Sequence, residues 1–358
     1  MITVGAGQTA VSGGDFKPAT VADVRPATAA EWDAAWAACG HATYFQSRAW
    51  FEDWATYTRG AMAPRPVTVR FDDGCRVVLP IARQRHHRVL GSRYFLSPAG
   101  TYGGWLGGET LGAGHAVALA DWLQSARLPL WWRINPFDPA AADLAGSATE
   151  SDVTHVLHLD AGPDSVCDRA THGHACAIRK AQRKGLRVRL ADCAQDWDQY
   201  YKAYEASLAR WGDRTSSRYG AELFELLRRR GSPGIELWLA TLDDETIIAG
   251  GLCLYGPRHA SYWHAAALSE FFPLRPANLL VHEMVLDACG RGLRWFDLNP
   301  SSGHEGVRTF KERVGAVAVP SPVVVRDRAT LPLRRLGNAI HGLSRGRPTQ
   351  ASKDILKA

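Results

Sequence analysis

The sequence predicts an α/β fold, and three observations within Ile235–Ala316 carry that reading. Ile235–Thr241 (IELWLAT) and Thr246–Tyr255 (TIIAGGLCLY) are rich in β-branched and aromatic residues and flank an acidic turn, Leu242–Glu245, as paired strands do. His259–Ala267 (HASYWHAAA) follows the Gly256-Pro257 turn as a third strand. Leu274–Gly290 then sets Leu280, Met284 and Ala288 at four-residue spacing on one helical face, with Gly290 and Gly292 as stop signals. Leu293–Leu298 (LRWFDL) reads as a short buried strand, and Asn299–Gly315 (NPSSGHEGVRTFKERVG) closes the unit. Three strands, a helix and a strand in about eighty residues form a layer with one open crevice, the natural place for chemistry.

Composition sets the outer limits. A chain of 358 residues exceeds what one core usually fills, so two domains are expected. Hydrophobic content of 46% and charged content of 22% describe an ordinary globular protein, and no apolar run is long enough to span a bilayer. The opening MITVGAGQTAVSGGDFKP lacks a basic n-region and an apolar h-region, so residues 1–24 are expected to be a disordered leader and the protein cytoplasmic. Seven scattered cysteines without a CxxC pair fit reduced thiols and no metal framework. The net charge of +6 is concentrated in the tail: from Arg326 onward there are eight Lys/Arg and two Asp, so 42 basic and 36 acidic residues reduce to 34 of each elsewhere.

In chain order, residues 25–150 form the expected first domain. Ala29–Cys39 reads as a helix capped by Thr28, with Trp32 and Trp36 on one face, and Ser47–Tyr57 repeats the pattern with Ser47 as cap and Trp50 and Trp54 inward. Pro66–Phe71 and Cys75–Ala82 are strands around the Asp72-Asp73-Gly74 hairpin turn. Arg83–Arg93 is a basic loop or strand. Tyr94–Leu106 is aromatic and punctuated by glycine, so either Tyr102 and Trp105 stack on a ligand there or the stretch is a structural connection. A helix over Ala113–Gln124 and a strand at Leu130–Ile134 complete this part.

Residues 151–325 form the expected second domain. It opens with a strand at Thr154–Leu159 and a helix over Pro163–Gly185, whose early Asp164 and Asp168 and late Arg179, Lys180, Arg183 and Lys184 complement the helix dipole. A strand at Leu186–Leu190 and helices at Gln195–Trp211 and Ala221–Arg230 follow, the helices separated by a polar loop with Arg214 and Arg218. In the tail, residues 326–358, Leu333, Leu336, Ile340 and Leu343 recur at helical spacing beside Arg334, Arg335 and Arg345. Such a basic amphipathic segment suits a weak contact with an anionic membrane surface or RNA, while Gly337 and Gly342 weaken it as a helix and favour the alternative of a tail that is disordered or packed on the body.

Several stretches together carry a resemblance: Cys176–Gly185 (CAIRKAQRKG), Tyr200–Gly212 (YYKAYEASLARWG), Ala249-Gly250, Pro276–Leu280 (PANLL), Gly292–Leu298 (GLRWFDL) and Thr309–Ala316 (TFKERVGA). Over about residues 30–325 the chain resembles the acetyltransferase-type domains related to the Fem (FemAB-like) peptidoglycan peptidyltransferases of the GNAT superfamily. The resemblance implies tandem GNAT-like folds, each a mixed, largely antiparallel sheet flanked by helices, the first degenerate and the second holding the reaction crevice. It implies that the sheet splays between the strands His259–Ala267 and Leu293–Leu298, and that Lys311, in the F-K-x-x-x-G match, stabilises charge on the acyl oxygen or donor phosphate.

The residues around that splay can also be read from their chemistry. Acyl transfer to an amine needs a polarised carbonyl and two reactants held together. The candidates are Tyr262, His264, Asp297, Asn299, Ser301, His304 and Lys311. His264 is the candidate general base, and Asp297 either orients Lys311 or caps the following turn. Tyr102, Trp105, Tyr204, Tyr262, Asn299 and Ser301 are the candidate substrate contacts, and Arg275, Asn278 and Leu279 the candidate donor contacts. The donor stretch Phe271–Leu279 has no glycine, and Pro276 removes one backbone donor, unlike the glycine loop that cradles CoA pyrophosphate in ordinary GNATs. The expected co-substrate is acyl-CoA, with aminoacyl-tRNA as the alternative, no tightly bound cofactor and no metal. The expected activity is N-acyl transfer to an amine of a small metabolite, amino sugar or cell-envelope precursor. A Fem-like aminoacyl-tRNA-dependent transferase and a non-catalytic scaffold in polysaccharide assembly are the alternatives.

Overall fold

The computed structural model describes residues 19–85, 92–108, 111–141, 144, 148–212, 217–301 and 303–326. Residues 1–18 of the expected leader, residues 86–91 of the basic stretch, Arg214 and the tail from residue 327 lie outside the described residues.

The first half contains β1 (Val21–Pro26), α1 (Ala29–Ala38), α2 (Arg48–Tyr57), β2 (Met62–Pro64), β3 (Val67–Phe71), β4 (Arg76–Leu79), β5 (Ala82–Arg85), β6 (Ser92–Phe95), β7 (Tyr102–Gly103), α3 (Ala113–Ser125) and β8 (Leu130–Ile134). The second contains β9 (Val153–His158), α4 (Gly162–Arg169), α5 (His172–Arg183), β10 (Arg187–Leu190), α6 (Ala194–Trp211), α7 (Ala221–Arg230), β11 (Ile235–Thr241) and β12 (Ile247–Tyr255). It continues with β13 (His259–Ala267), α8 (Pro276–Gly290), β14 (Trp295–Asp297), α9 (Glu305–Arg313), β15 (Val317–Pro320) and β16 (Val323–Arg326).

The caps act as the sequence suggests. Thr28 and Glu31 form a capping box at α1, and Ser47 accepts the Trp50 N–H at α2. Three expectations are corrected. Residues 21–24, taken as leader, belong to β1, where Val24 is buried as the strand pairs with β3. The single helix expected over Pro163–Gly185 is two: Thr171 adopts an extended conformation and accepts the His174 N–H, so it ends one helix and caps the next. The strand expected over Cys75–Ala82 breaks after Leu79, where Pro80 offers no N–H, and Ala82 opens β5 in a different sheet.

The seven-stranded sheet runs β10-β11-β12-β13-β14-β9-β15 and is antiparallel except between β13 and β14. Those two pair over only three positions, His259 with Trp295, Ala260 with Phe296 and Ser261 with Asp297. β13 then continues to Ala267, paired with β12 on its other side, so among the described residues its far edge from Tyr262 onward has no strand partner, and the Ala267 carbonyl accepts from Ser207 Oγ and Arg210, both at 3.3 Å. Gly251 permits this geometry, since a Cβ there would lie 2.2 Å from the Tyr262 ring. α6 covers one face over β12 and β13, and α8 covers the other, with α4 and α5 behind it.

The two halves interlock. β16, at the end of the second half, pairs with β8 and completes the sheet β16-β8-β6-β5-β2 of the first. Aromatic contacts cross the seam, with Trp50 edge-on to Trp263 at 5.2 Å and Phe137 against Trp295 at 5.2 Å. One apolar cluster therefore draws on α1, α2, α6, α7 and the inner strands together. Among the described residues no helix is long and apolar enough to cross a membrane.

Val323 is 1% exposed in this crossing strand. Val323→Asp, which buries an unpaired charge at the seam, should lower unfolding free energy by about 3–5 kcal/mol in denaturant titration. A loss below about 1 kcal/mol would show that β16 contributes little to joining the halves.

Candidate active site

The site starts from one asparagine. Just past β14, Asn299 takes the left-handed conformation (φ 60°), which asparagine tolerates better than most residues. Its Nδ2 donates to Ser261 Oγ (2.9 Å) and to the Tyr262 carbonyl (2.7 Å), and its Oδ1 accepts from the Ser261 hydroxyl (3.2 Å). The Tyr262 carbonyl lies where β14 would have to continue for the sheet to stay closed, so the Asn299 amide stands in for the missing strand. The Asn299 N–H donates to Asp297 Oδ1 at 2.9 Å, and its carbonyl accepts from Lys311 Nζ at 2.5 Å.

Lys311 is 5% exposed on α9. Burial pushes its pKa down to about 8, against the opposing pull of Asp297 and Asp152. Among the described residues no carboxylate lies within ion-pair distance of its ammonium. Asp297, fully buried, caps the turn rather than touching Lys311, since its Oδ1 accepts the Thr154 hydroxyl (2.6 Å) and the Asn299 N–H. Its Oδ2 faces His259 Nε2 at 3.7 Å, and neither that oxygen nor either His259 nitrogen has a hydrogen-bond partner. Phe137 lies over His259 with ring centroids 4.4 Å apart. Tyr102 reaches the same spot from the first half, and burial, then the Asp297 charge, raises its hydroxyl pKa well above the ordinary value.

The remaining predicted residues divide. Ser301 and His304 line a pocket beside Lys311's helix, and Tyr262 lies on the open edge. Tyr102 and Trp105, at 1% exposure each, are core and not a stacking platform: Gly103 between them allows close backbone packing, as a Cβ there would sit 2.4 Å from the Leu96 carbonyl oxygen. Tyr204 is likewise buried, accepting the Tyr219 N–H at 3.1 Å and packing on His264 at 4.4 Å. His264 sits among Tyr200, Tyr204 and Phe224, its Nδ1 2.6 Å from the Tyr200 hydroxyl, and burial pushes its pKa down to about 3. His264 is half-buried, so the rings form a wall on one side of it.

At the donor stretch, Arg275 is exposed and left-handed (φ 65°) as the N-cap of α8, and Pro276 occupies the first helical position. Asn278 is held through its amide by His174 Nδ1 at 2.9 Å, and burial pushes His174 down to about 4. Leu279 is core and presents no side chain to a ligand. Sequence reasoning missed Thr154, His155 and Ser261. The first two were hidden in the alternating THVLHL strand, where a polar residue at an inward position was the available signal.

Two clusters carry metal-type donors, Asp73/Cys75/His115 and Asp192/Cys193/Asp196. In the first, His115 Nδ1 accepts the Gly112 N–H (3.2 Å), so Nε2 carries the proton shared with Asp73 (2.8 Å). In the second, Asp196 is held by both Arg189 nitrogens at 2.6 and 2.9 Å. Asp73, His115 and Asp196 are thus each engaged within the protein.

A sheet that splays beside its one parallel junction, with a helix rising from each side of the opening, is the frame of a GNAT-type fold. Residues 174–312 match the family described as the acetyltransferase (GNAT) domain, and the chain is an acyltransferase carrying that domain in its second half. The fold is similar to the crystal structure of FemX, which is 14% identical, with 88% of this chain and 99% of that one covered at a TM-score of 0.66. A conserved protein of unknown function from Bacteroides thetaiotaomicron VPI-5482 is 10% identical over 86% of this chain and 100% of that one, TM-score 0.54. The C-terminal domain of a putative lysylphosphatidylglycerol synthetase from Agrobacterium fabrum is 12% identical over 77% and 89%, TM-score 0.50. A search of curated proteins returned no match.

Lys311 sets a pH signature. Its folded pKa of about 8 lies below the ordinary 10.5, so between these values the unfolded chain binds the extra proton and stability rises with pH. Relative to Lys311→Met, the wild type should gain on the order of 2 kcal/mol between pH 8 and about pH 9.5, read by urea unfolding of both proteins. A flat difference would place Lys311 in water.

Proposed function

We propose that this enzyme transfers an acyl group from acyl-CoA to an amine of a small metabolite, amino sugar or cell-envelope precursor. The observation that carries the reading is the open edge of β13 from Tyr262 to Ala267, kept apart from β14 by Asn299, with the buried Lys311 ammonium on the Asn299 carbonyl. An extended donor can lie along that edge and use the backbone groups between the Tyr262 carbonyl, held by Asn299, and the Ala267 carbonyl, held by Ser207 and Arg210, as a further strand would. The amine nitrogen attacks the thioester carbonyl, the C–N bond forms and the C–S bond breaks, and the proton that the amine loses passes to the departing thiolate, which is released as the free thiol. The Lys311 charge, little neutralised in a poorly solvated position, favours the oxyanion that develops on the carbonyl oxygen. Arg275, exposed at the start of α8, supplies charge for donor phosphates.

Pro276 favours a second reading. With no N–H at its first position, the α8 N-terminus is a weaker pyrophosphate cradle than a glycine loop, and an aminoacyl ester on tRNA needs no such cradle.

Acetyl-CoA turnover over a panel of amines, followed by free-thiol release, tests the first reading. Lys311→Ala should lower kcat/KM at least about 100-fold while the fold is kept, and wild-type activity should decline above about pH 8 as Lys311 loses its proton. Lys311→Arg should keep part of the activity and lose that alkaline decline. Full activity in Lys311→Ala would remove Lys311 from the reaction.

A further inference from the structure

A pocket of about 190 Å³ opens between the start of β9 and the N-terminus of α9, lined by Asp152, His155, Ser301, His304, Glu305 and Arg308 among others. Two of its polar side chains are unsatisfied. His155 has no solvent-exposed surface, and neither ring nitrogen has a hydrogen-bond partner. The Ser301 hydroxyl oxygen is also buried, without a partner among the described residues. Buried polar groups are normally paired, so two such side chains facing one cavity mark a place for a polar occupant.

The sign of that occupant follows from the surroundings. α9 begins at the pocket, and its N-cap residue His304 makes no side-chain bond to the first turn, leaving the positive end of the helix uncapped. Both lining carboxylates are already countered: Asp152 accepts from Arg133 at 2.7 Å and from the Val153 N–H at 2.8 Å, and Glu305 accepts from Arg308 at 2.9 Å. Lys311 lies on the same helix with one hydrogen bond, to a neutral carbonyl, and no ion pair among the described residues. Burial, then the Lys311 charge, lowers the His155 pKa, so a neutral imidazole with one N–H to donate faces the cavity at pH 7. The free groups are a hydroxyl, an imidazole N–H and a helix N-terminus, the set that binds oxyanions.

We propose that this pocket binds an oxyanion, the phosphate or carboxylate of the amine acceptor, through Ser301, His155 and the first turn of α9. Assignment to the acceptor rests on the acyl-transfer reading: the pocket lies on the β14 and β9 side of the opening, whereas α8, the expected donor helix, follows β13. The proposal makes the acceptor an amine that also carries an acidic group.

The binding test needs no acyl donor, so its result is separate from that of the acyl-transfer reading. The full-length protein is titrated with inorganic phosphate and with acetate, against chloride at matched ionic strength, by thermal unfolding and calorimetry. One of the two oxyanions should stabilise saturably in the millimolar range, and which one does so distinguishes phosphate from carboxylate. Ser301→Ala, on a loop, should weaken that binding at least fivefold with the melting temperature in chloride unchanged, and His155→Gln should weaken it as well. In turnover, the same ion should inhibit competitively with the acceptor. Stabilisation by methylammonium instead, no saturable effect of either oxyanion, or undiminished binding in Ser301→Ala would overturn the site. Inhibition competitive with the donor alone would overturn its assignment to the acceptor.

Discussion

Everything at the site depends on β13 and β14 parting company after three paired positions. A parallel strand pair that stops so early leaves a carbonyl and a row of backbone groups unanswered, and a sheet in that state tends to close or to recruit another chain. Asn299 resolves the first unanswered group by giving its amide to the Tyr262 carbonyl, and its left-handed backbone turns the chain away from the sheet. Asp297 and Thr154 hold that turn from beneath, and Lys311 holds it from α9. The opening is thus a built feature with polar groups at its root, and the edge beyond it is available to a ligand.

The root of the opening is also where the two halves of the chain meet. Tyr102 and Phe137 from the first half crowd Asp297 and His259 from the second, and β16 runs back into the first sheet. The first half therefore acts as a wall behind the crevice. That explains why aromatic residues read as ligand contacts are core: large rings fill the seam, and the glycine among them allows close backbone approach between neighbouring segments rather than toward a ligand.

The strands from Ile235 to Tyr255 and the helix after them were legible because strong β-formers and glycine stops coincide there, whereas the splay was legible only through the family resemblance carried by the compact motif. Lys311, Asp297, Asn299 and Ser301 were legible for the same reason, since they lie within about fifteen residues of one another in sequence. Thr154, His155 and Ser261 were not, because their proximity comes from β9 and β13 flanking β14, a pairing that no local pattern encodes. Short edge strands such as β1 and β2 bury too few side chains to imprint an alternation, and at Thr171 the weak local signal of Gly173 was outweighed by the dipole-ordered charges at the two ends of the segment. The rings that pack on His264 come from α6 and α7, which its own strand does not announce.

The measurement that tests the account most directly is amide hydrogen exchange of the full-length protein with and without acetyl-CoA. If the donor lies along the edge that Asn299 keeps open, protection should rise in Tyr262–Ala267 and at the start of α8, and remain unchanged on β11 and in the first sheet. Acetyl-CoA binding that protects other segments and leaves Tyr262–Ala267 untouched would contradict it.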